Sequence, residues 1–223
     1  MNYQEFKGWP RLSLNQPLPK QPAETECYAF PMHLVNLVNN QFQQTRSGPN
    51  WQGGVLTLTT CKHRLRTGKP IADWVGVWLA GFTPKVGCGD NYLLFLAQVR
   101  LAFASNYELG AYLAVRRPSV YFAKLVNTST LGDIYQAKRV LPYTEQYDWQ
   151  NYTEPVGHVR MELKNNEPKW HKDINYVGAG GRQPAMLLFS KTYLYSKPVY
   201  RCVRPLGRSG YKTTPAELEL EHV

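Results

Sequence analysis

The sequence is poor in the features that would place it in several large protein classes. Its four cysteines, Cys27, Cys61, Cys88 and Cys202, are scattered and form no CxxC pair. That spacing argues against a zinc knuckle and offers no disulfide framework. No apolar run reaches the ~20 residues of a membrane-spanning helix, and the opening stretch MNYQEFKGWPRLSLNQPLPK has no signal-peptide apolar core. Neither a GxxxxGK[ST] loop, a GxGxxG turn nor an HxE…PCxxC pattern occurs. Nucleoside triphosphates, nicotinamides and deaminase zinc are therefore not expected, and no cofactor is assigned. Internal repeats are missing too. These absences lead to the expectation of a reduced, cytoplasmic protein with no membrane partner.

Negative charge is also scarce. Sixteen acidic residues against 26 Lys and Arg leave a net charge of +10 over 223 residues. Such a balance favours a polyanionic partner, nucleic acid being the commonest. Aromatic residues are plentiful: fifteen Tyr and six Trp can fill a core, and they can also stack on bases. With 43% hydrophobic residues the chain is long enough and apolar enough to bury one substantial core.

Residues 1–24 hold Pro10, Pro17, Pro19 and Pro22 with little periodicity, as expected of an extended arm lying over a domain of residues 25–212. An acidic tail, residues 213–223, follows. Strands are expected at Cys27–Met32, Val55–Thr59, Trp74–Leu79, Tyr92–Ala104 and Ala185–Tyr195, the last straight or bent. Ser105 reads as the N-cap of a helix over Asn106–Leu113. Residues 33–42 read as a helical turn or a continuing strand, the Asn/Gln run 39–44 as a loop, residues 127–158 as an irregular insertion and Lys172–Gly181 as a loop. Strands outnumber helices without regular strand–helix alternation. The expected fold is α+β: a bent, mostly antiparallel sheet, or a PUA-like barrel, with few helices and long irregular loops.

The segment Ser47–Val75 concentrates polar chemistry on a short scaffold. It holds a Gly-Pro-Asn-Trp turn, an alternating strand and the basic knot Cys61-Lys62-His63-Arg64-Leu65-Arg66. The runs GPN…GGVLTLTTCK…R…ADWV, LLFLAQV, GDIY and AMLLFSKTYLY together resemble the nucleotide modification associated domain family, most closely its second type. The likeness spans roughly residues 25–200 in order. It carries Pro49, Asn50, Thr57, Cys61, Lys62, Asp73, Trp74, Gly132, Asp133 and Tyr135 onto family motifs. Thr45-Arg46-Ser47 stands where the family commonly has an acidic residue, and Ala72 where it has Gly. The resemblance implies a protein of phage and bacterial systems that make, or respond to, hypermodified DNA bases. The strand–basic turn–strand layout is also similar to base-holding EVE and ASCH domains, by analogy of fold alone.

Each candidate residue has a plainer reading beside the functional one. Lys62, with cations nearby, suits a phosphate clamp or an activated amine; Arg64, Arg66, Arg204 and Arg208 suit phosphate, or simply a solvated basic surface. Asn50 can read a base edge, or cap its own turn. Trp51 and Trp74 can stack on a base, the plainer reading of Trp74 being a buried core residue. Asp133 and Asp173 can activate water or steady an oxocarbenium-like sugar cation, with Tyr135 beside them; Asp133 can equally close a Gly-Asp turn. His171 can protonate a leaving group, or merely hydrogen-bond. The expected activity is that of a DNA glycosylase-like hydrolase. It would flip a modified base out of double-stranded DNA and cut its N-glycosidic bond in an antiviral or base-modification setting. The alternatives are a non-enzymatic reader of modified bases and a transferase that elaborates them.

Overall fold

A computed structural model of the chain describes residues 13–20, 22–33, 35–156, 163–164 and 166–223. Most of the expected N-terminal arm, residues 1–12 and 21, lies outside the described residues, as do residues 157–158 of the expected insertion. The chain enters with β1 (Ser13–Leu14) and β2 (Cys27–Pro31), turns through the hairpin β3 (Val35–Val38) and β4 (Gln41–Gln44), and lays down β5 (Thr57–Leu58). A single turn of helix, α1 (His63–Arg66), leads to β6 (Trp78–Phe82) and the long β7 (Leu93–Phe103). Two helices, α2 (Asn106–Arg116) and α3 (Pro118–Lys124), follow. A small hairpin, β8 (Leu163–Lys164) and β9 (Glu167–Pro168), then precedes α4 (His171–Asn175), β10 (Met186–Leu194), β11 (Tyr200–Cys202), β12 (Tyr211–Thr213) and β13 (Leu220–His222).

One mixed sheet runs in the order β1-β10-β7-β6-β2-β12, with β5 paired to the same edge of β10 as β1. The pairs β10–β7, β7–β6, β12–β2 and β5–β10 are antiparallel, whereas β1–β10 and β2–β6 are parallel. The α+β expectation with a mostly antiparallel sheet and few helices is met. Closure into a barrel is not, because the described ladder ends at β12 on one side and at β1 and β5 on the other. The bend comes from register shifts at Leu188/Phe189 and Phe189/Thr192 in β10 and at Gly81/Phe82 in β6. Gly81 is needed there: a Cβ would lie 2.1 Å from the Phe95 ring.

The centre of β7 is apolar because the sheet is covered on both faces. One core gathers Phe30, Leu58, Leu79, Phe95 and Phe189, and another gathers Cys27, Trp78, Leu96 and Tyr195. Each large side chain buried in this way contributes about 1.5–3 kcal/mol. Ser105 caps α2, accepting from the Glu108 amide at 3.1 Å, and Pro118 opens α3 at a position where no amide donor is needed. These two helices pack Leu109, Leu113 and Val120 against Phe103 and Leu188. The tail folds back, with β13 paired to β11.

Several local expectations need correction. Asn39 and Asn40, both at positive φ (50° and 58°), make a tight hairpin turn, so part of the Asn/Gln run is strand β4. Of Val55–Thr59 only Thr57–Leu58 joins the ladder. The stretch Ile71–Trp74 is a turn of 3-10 helix; Gly76 at φ 89° interrupts the extended run, and the strand starts at Trp78. Part of the expected loop after Trp170 is the helix α4.

Candidate functional site

β5 leaves the sheet through Thr59, Thr60 and Cys61 into Lys62, a non-glycine residue held left-handed at φ 53°, immediately before α1. That conformation costs an L-residue energy and is kept only where the surroundings impose it. It sets two consecutive side chains, Lys62 and His63, into different surroundings.

His63 turns toward α4. Its Nε2 lies 3.0 Å from Asp173 Oδ1, and Tyr135 donates its hydroxyl to Asp173 Oδ2 at 2.7 Å. Asp173 is 1% exposed while the His63 side chain keeps 18%. The imidazole stacks on Tyr176, with centroids 5.0 Å apart, and Tyr135 stacks on Trp170 at 5.6 Å. A tyrosine hydroxyl bonded to a buried carboxylate, with a partly exposed imidazole at ion-pair distance from that carboxylate, can serve as a general base and its positioning group. Asp173, expected from the sequence to activate water, is instead buried and faces His63. Tyr135, expected to touch a base, is 2% exposed and serves the same carboxylate.

Asp133 lies in a second, sealed network. Its Oδ2 accepts from Thr57 Oγ1 at 2.8 Å and Thr59 Oγ1 at 2.9 Å. Lys124 donates to Asn50 Oδ1 at 2.6 Å, to the Asn50 carbonyl at 3.0 Å and to Thr57 Oγ1 at 2.9 Å. The Thr57 hydroxyl thus accepts from the ammonium and donates to the carboxylate. Burial pushes the Lys124 pKa down to about 8, with the Asp133 charge opposing the fall. Asn50 spends its remaining amide capacity on the Leu131 carbonyl and the Gln52 amide. Asp133, Asn50 and Lys124 are all 0% exposed. Water activation by Asp133 and base reading by Asn50 are therefore not what this geometry offers; both hold the turn at Pro49-Asn50 to the loop at Gly132-Asp133.

Lys62 turns the other way, onto Phe30, with Nζ 5.1 Å from the ring centroid. It lines a pocket of about 180 Å³ together with Pro31, Met32, His33, Arg46, Gly48 and Cys61. Burial lowers the Lys62 pKa, and the Cys61 sulfur opposes this. Partial burial also lowers the His33 pKa, as do the charges of Lys62, Arg46 and Arg208. Gly48 is required at the pocket wall, since a Cβ would meet Thr60 Oγ1 at 2.6 Å.

The remaining predicted residues divide between surface and core. Arg66 is 0% exposed and donates to the carbonyls of Thr59 (2.6 Å), Cys61 (2.9 Å) and Ala185 (2.6 Å). It staples the end of β5 to the start of β10 and is not placed to meet a phosphate. Arg64, Arg204 and Arg208 are exposed, Arg204 lying 4.2 Å over the Tyr211 ring. Trp51 packs against the core around Phe30. His171 is buried against Trp149 at 3.6 Å, and burial lowers its pKa while Glu167 and Glu154 oppose. The residues missed were His63, Lys124, His33 and Arg46. His63 had a signal, since it is the one titratable imidazole inside the basic knot. For Lys124 none existed, as nothing in its local sequence marks a lysine for complete burial.

None of the four cysteines is in a disulfide, and the described residues contain no group of three or more His, Cys, Asp or Glu able to hold a metal ion. No described helix is long and apolar enough to cross a membrane. Comparison of the chain with protein-family models, with curated proteins and with solved structures gives no match.

Proposed function

We propose that this protein binds DNA and hydrolyses the N-glycosidic bond of a modified nucleotide flipped from the duplex. His63 acts as general base, and Asp173 and Tyr135 position it. The observation that carries the reading is the Tyr135–Asp173–His63 chain, in which a buried carboxylate aligns an imidazole that still reaches solvent. Water attacks C1′ of the deoxyribose as the C1′–N bond breaks, and its proton passes to His63. The bond's electron pair leaves with the base, whose nitrogen then recovers that proton. Such a base contributes about 10²–10⁴-fold. The net charge of +10 supports a DNA partner, because phosphate neutralisation would offset the few kcal/mol of unpairing. The likeness of Pro49-Asn50, Cys61-Lys62 and Gly132-Asp133 to the nucleotide modification associated family supports a modified base as the target.

The test incubates the full chain with DNA carrying hydroxymethylated or glucosylated cytosine and then treats it with alkali. Strand breaks at abasic sites are expected with the native chain and not with His63→Gln. Binding of modified DNA without breaks on any of these substrates would replace the hydrolase by a reader.

A further inference from the structure

Lys62 is only partly exposed, yet among the described residues no carboxylate lies within ion-pair distance of its ammonium. The same holds for Arg46, and no acidic side chain lines the pocket they share with His33. A partly desolvated ammonium left without a counter-charge is costly unless a ligand supplies one. Lys62 is also the residue forced into the left-handed region, φ 53°, and that conformation directs it over Phe30 into the pocket. Three features therefore coincide: a strained backbone position, a partly buried cation without an anion, and a concave surface with further cationic groups on its rim.

We propose that the pocket bounded by His33, Arg46, Gly48 and Lys62 is a phosphate subsite that takes one phosphate group of a nucleotide ligand. Its volume, about 180 Å³, is below the roughly 300–1,000 Å³ of sites that engulf a whole organic ligand. It suits a single tetrahedral anion, with the rest of the nucleotide lying outside. Arg46 offers a planar fork and Lys62 a point charge, a complementary pair for phosphate oxygens. The apolar floor of Phe30, Pro31 and Met32 keeps the local dielectric low and strengthens the attraction. Arg208 adds long-range positive potential at His33.

The connection of this subsite to catalysis rests on the proposed hydrolase; anion binding itself does not. Consecutive α-carbons are about 3.8 Å apart. Lys62 and His63 are therefore anchored side by side on one turn, although their side chains leave it in different directions.

The subsite is tested without turnover. The full chain is titrated with inorganic phosphate at low ionic strength, followed by calorimetry and by the amide resonances of Gly48 and Lys62. Saturable binding at one site is expected. Lys62→Met and Arg46→Ala should each weaken it about tenfold or more, whereas Lys191→Ala, an exposed cation on β10 that does not line the pocket, should change it less than about twofold. If Lys62→Met loses its native circular dichroism, Arg46→Ala carries the reading, because the Arg46 side chain is exposed and its removal leaves the core untouched. Two further arms identify the source of the phosphate. A nucleoside 5′-monophosphate that competes more strongly than phosphate points to a terminal group, and displacement of phosphate by an unphosphorylated duplex points to an internal phosphodiester. Non-saturable binding, or binding lost equally in Lys191→Ala, overturns the subsite. A chain that binds phosphate here but leaves no abasic sites keeps the subsite and discards the hydrolase; the converse discards only the subsite.

Discussion

Asp173 Oδ1 lies 3.0 Å from His63 Nε2, joining a buried carboxylate on α4 to a partly exposed imidazole on α1. In the proposed mechanism this pair acts as a unit. His63→Gln and Asp173→Asn should each lower kcat by about 10²–10⁴-fold, with KM changed little, because neither side chain is assigned to substrate binding. Tyr135→Phe removes one hydrogen bond to a charged acceptor, a loss of about 1.5–3 kcal/mol, and should lower kcat by about 10–100-fold. Steady-state kinetics on modified DNA separate the outcomes. A rise in KM at constant kcat in Asp173→Asn would remove the positioning role.

The Lys124–Thr57–Asp133 relay is assigned to stability. Lys124→Met leaves the buried Asp133 without its compensating charge and should destabilise the fold by about 3–5 kcal/mol. Thr57→Val cuts the hydroxyl that joins the two charges and should cost about 1–3 kcal/mol. The double variant Lys124→Met/Asp133→Leu removes both charges and should recover much of the loss, since an apolar replacement of a buried pair is often near neutral. Urea unfolding followed by circular dichroism measures all three.

How much of this was legible in the sequence depends on the range of the physics involved. Ser105 as a cap, the long buried β7 and the late strand β10 follow from local pattern, and all appear. Boundaries set by one residue's conformation were harder to read: Gly76 and the Asn39-Asn40 turn moved strand ends that periodicity alone could not place. The site was only partly legible. Asp173 and Tyr135 were singled out separately, but nothing local says that Tyr135 reaches Asp173 or that Asp173 reaches His63. Arg66 misled because an arginine in a basic run looks the same whether it faces water or three carbonyls; tertiary packing decides.

Glu26 gives a pH-dependent test of the sheet edge. Burial alone would raise its carboxyl pKa, but hydrogen bonds from Lys212, Lys69 and Tyr28 outweigh that and hold it at about 2, against an ordinary value of 4.5. Lys212 lies on β12 and Tyr28 on β2, so the carboxylate ties an edge strand to its neighbour. A folded-state pKa below the unfolded one means that the folded chain binds fewer protons between these values. The stabilisation is then fully present above about 4.5 and is lost as pH falls toward 2. Because the pairs are partly solvated, the effect is modest and salt-sensitive. Thermal unfolding of the native chain and Glu26→Gln should differ at pH 7 and converge near pH 2.5 in low salt. A difference that stays constant over this range would mean that the ion pairs contribute nothing.

The arginines provide the sharpest separation of DNA contact from scaffold. Arg64, Arg204 and Arg208 are exposed; under the proposed DNA binding, each change to alanine should flatten the slope of log affinity against log salt by about 0.9 on duplex DNA. Unfolding midpoints should shift little, because surface substitutions usually stay within about 0.5 kcal/mol. Arg66 should behave in the opposite way. Its guanidinium serves the carbonyls of Thr59, Cys61 and Ala185, and a lysine ammonium cannot span all three. Arg66→Lys should therefore cost about 1–3 kcal/mol for each acceptor stranded in the core while leaving the salt slope of the folded fraction unchanged. Binding isotherms at several salt concentrations, read beside urea unfolding, distinguish the two classes. A flattened slope in Arg66→Lys at unchanged stability would place that side chain on the DNA after all.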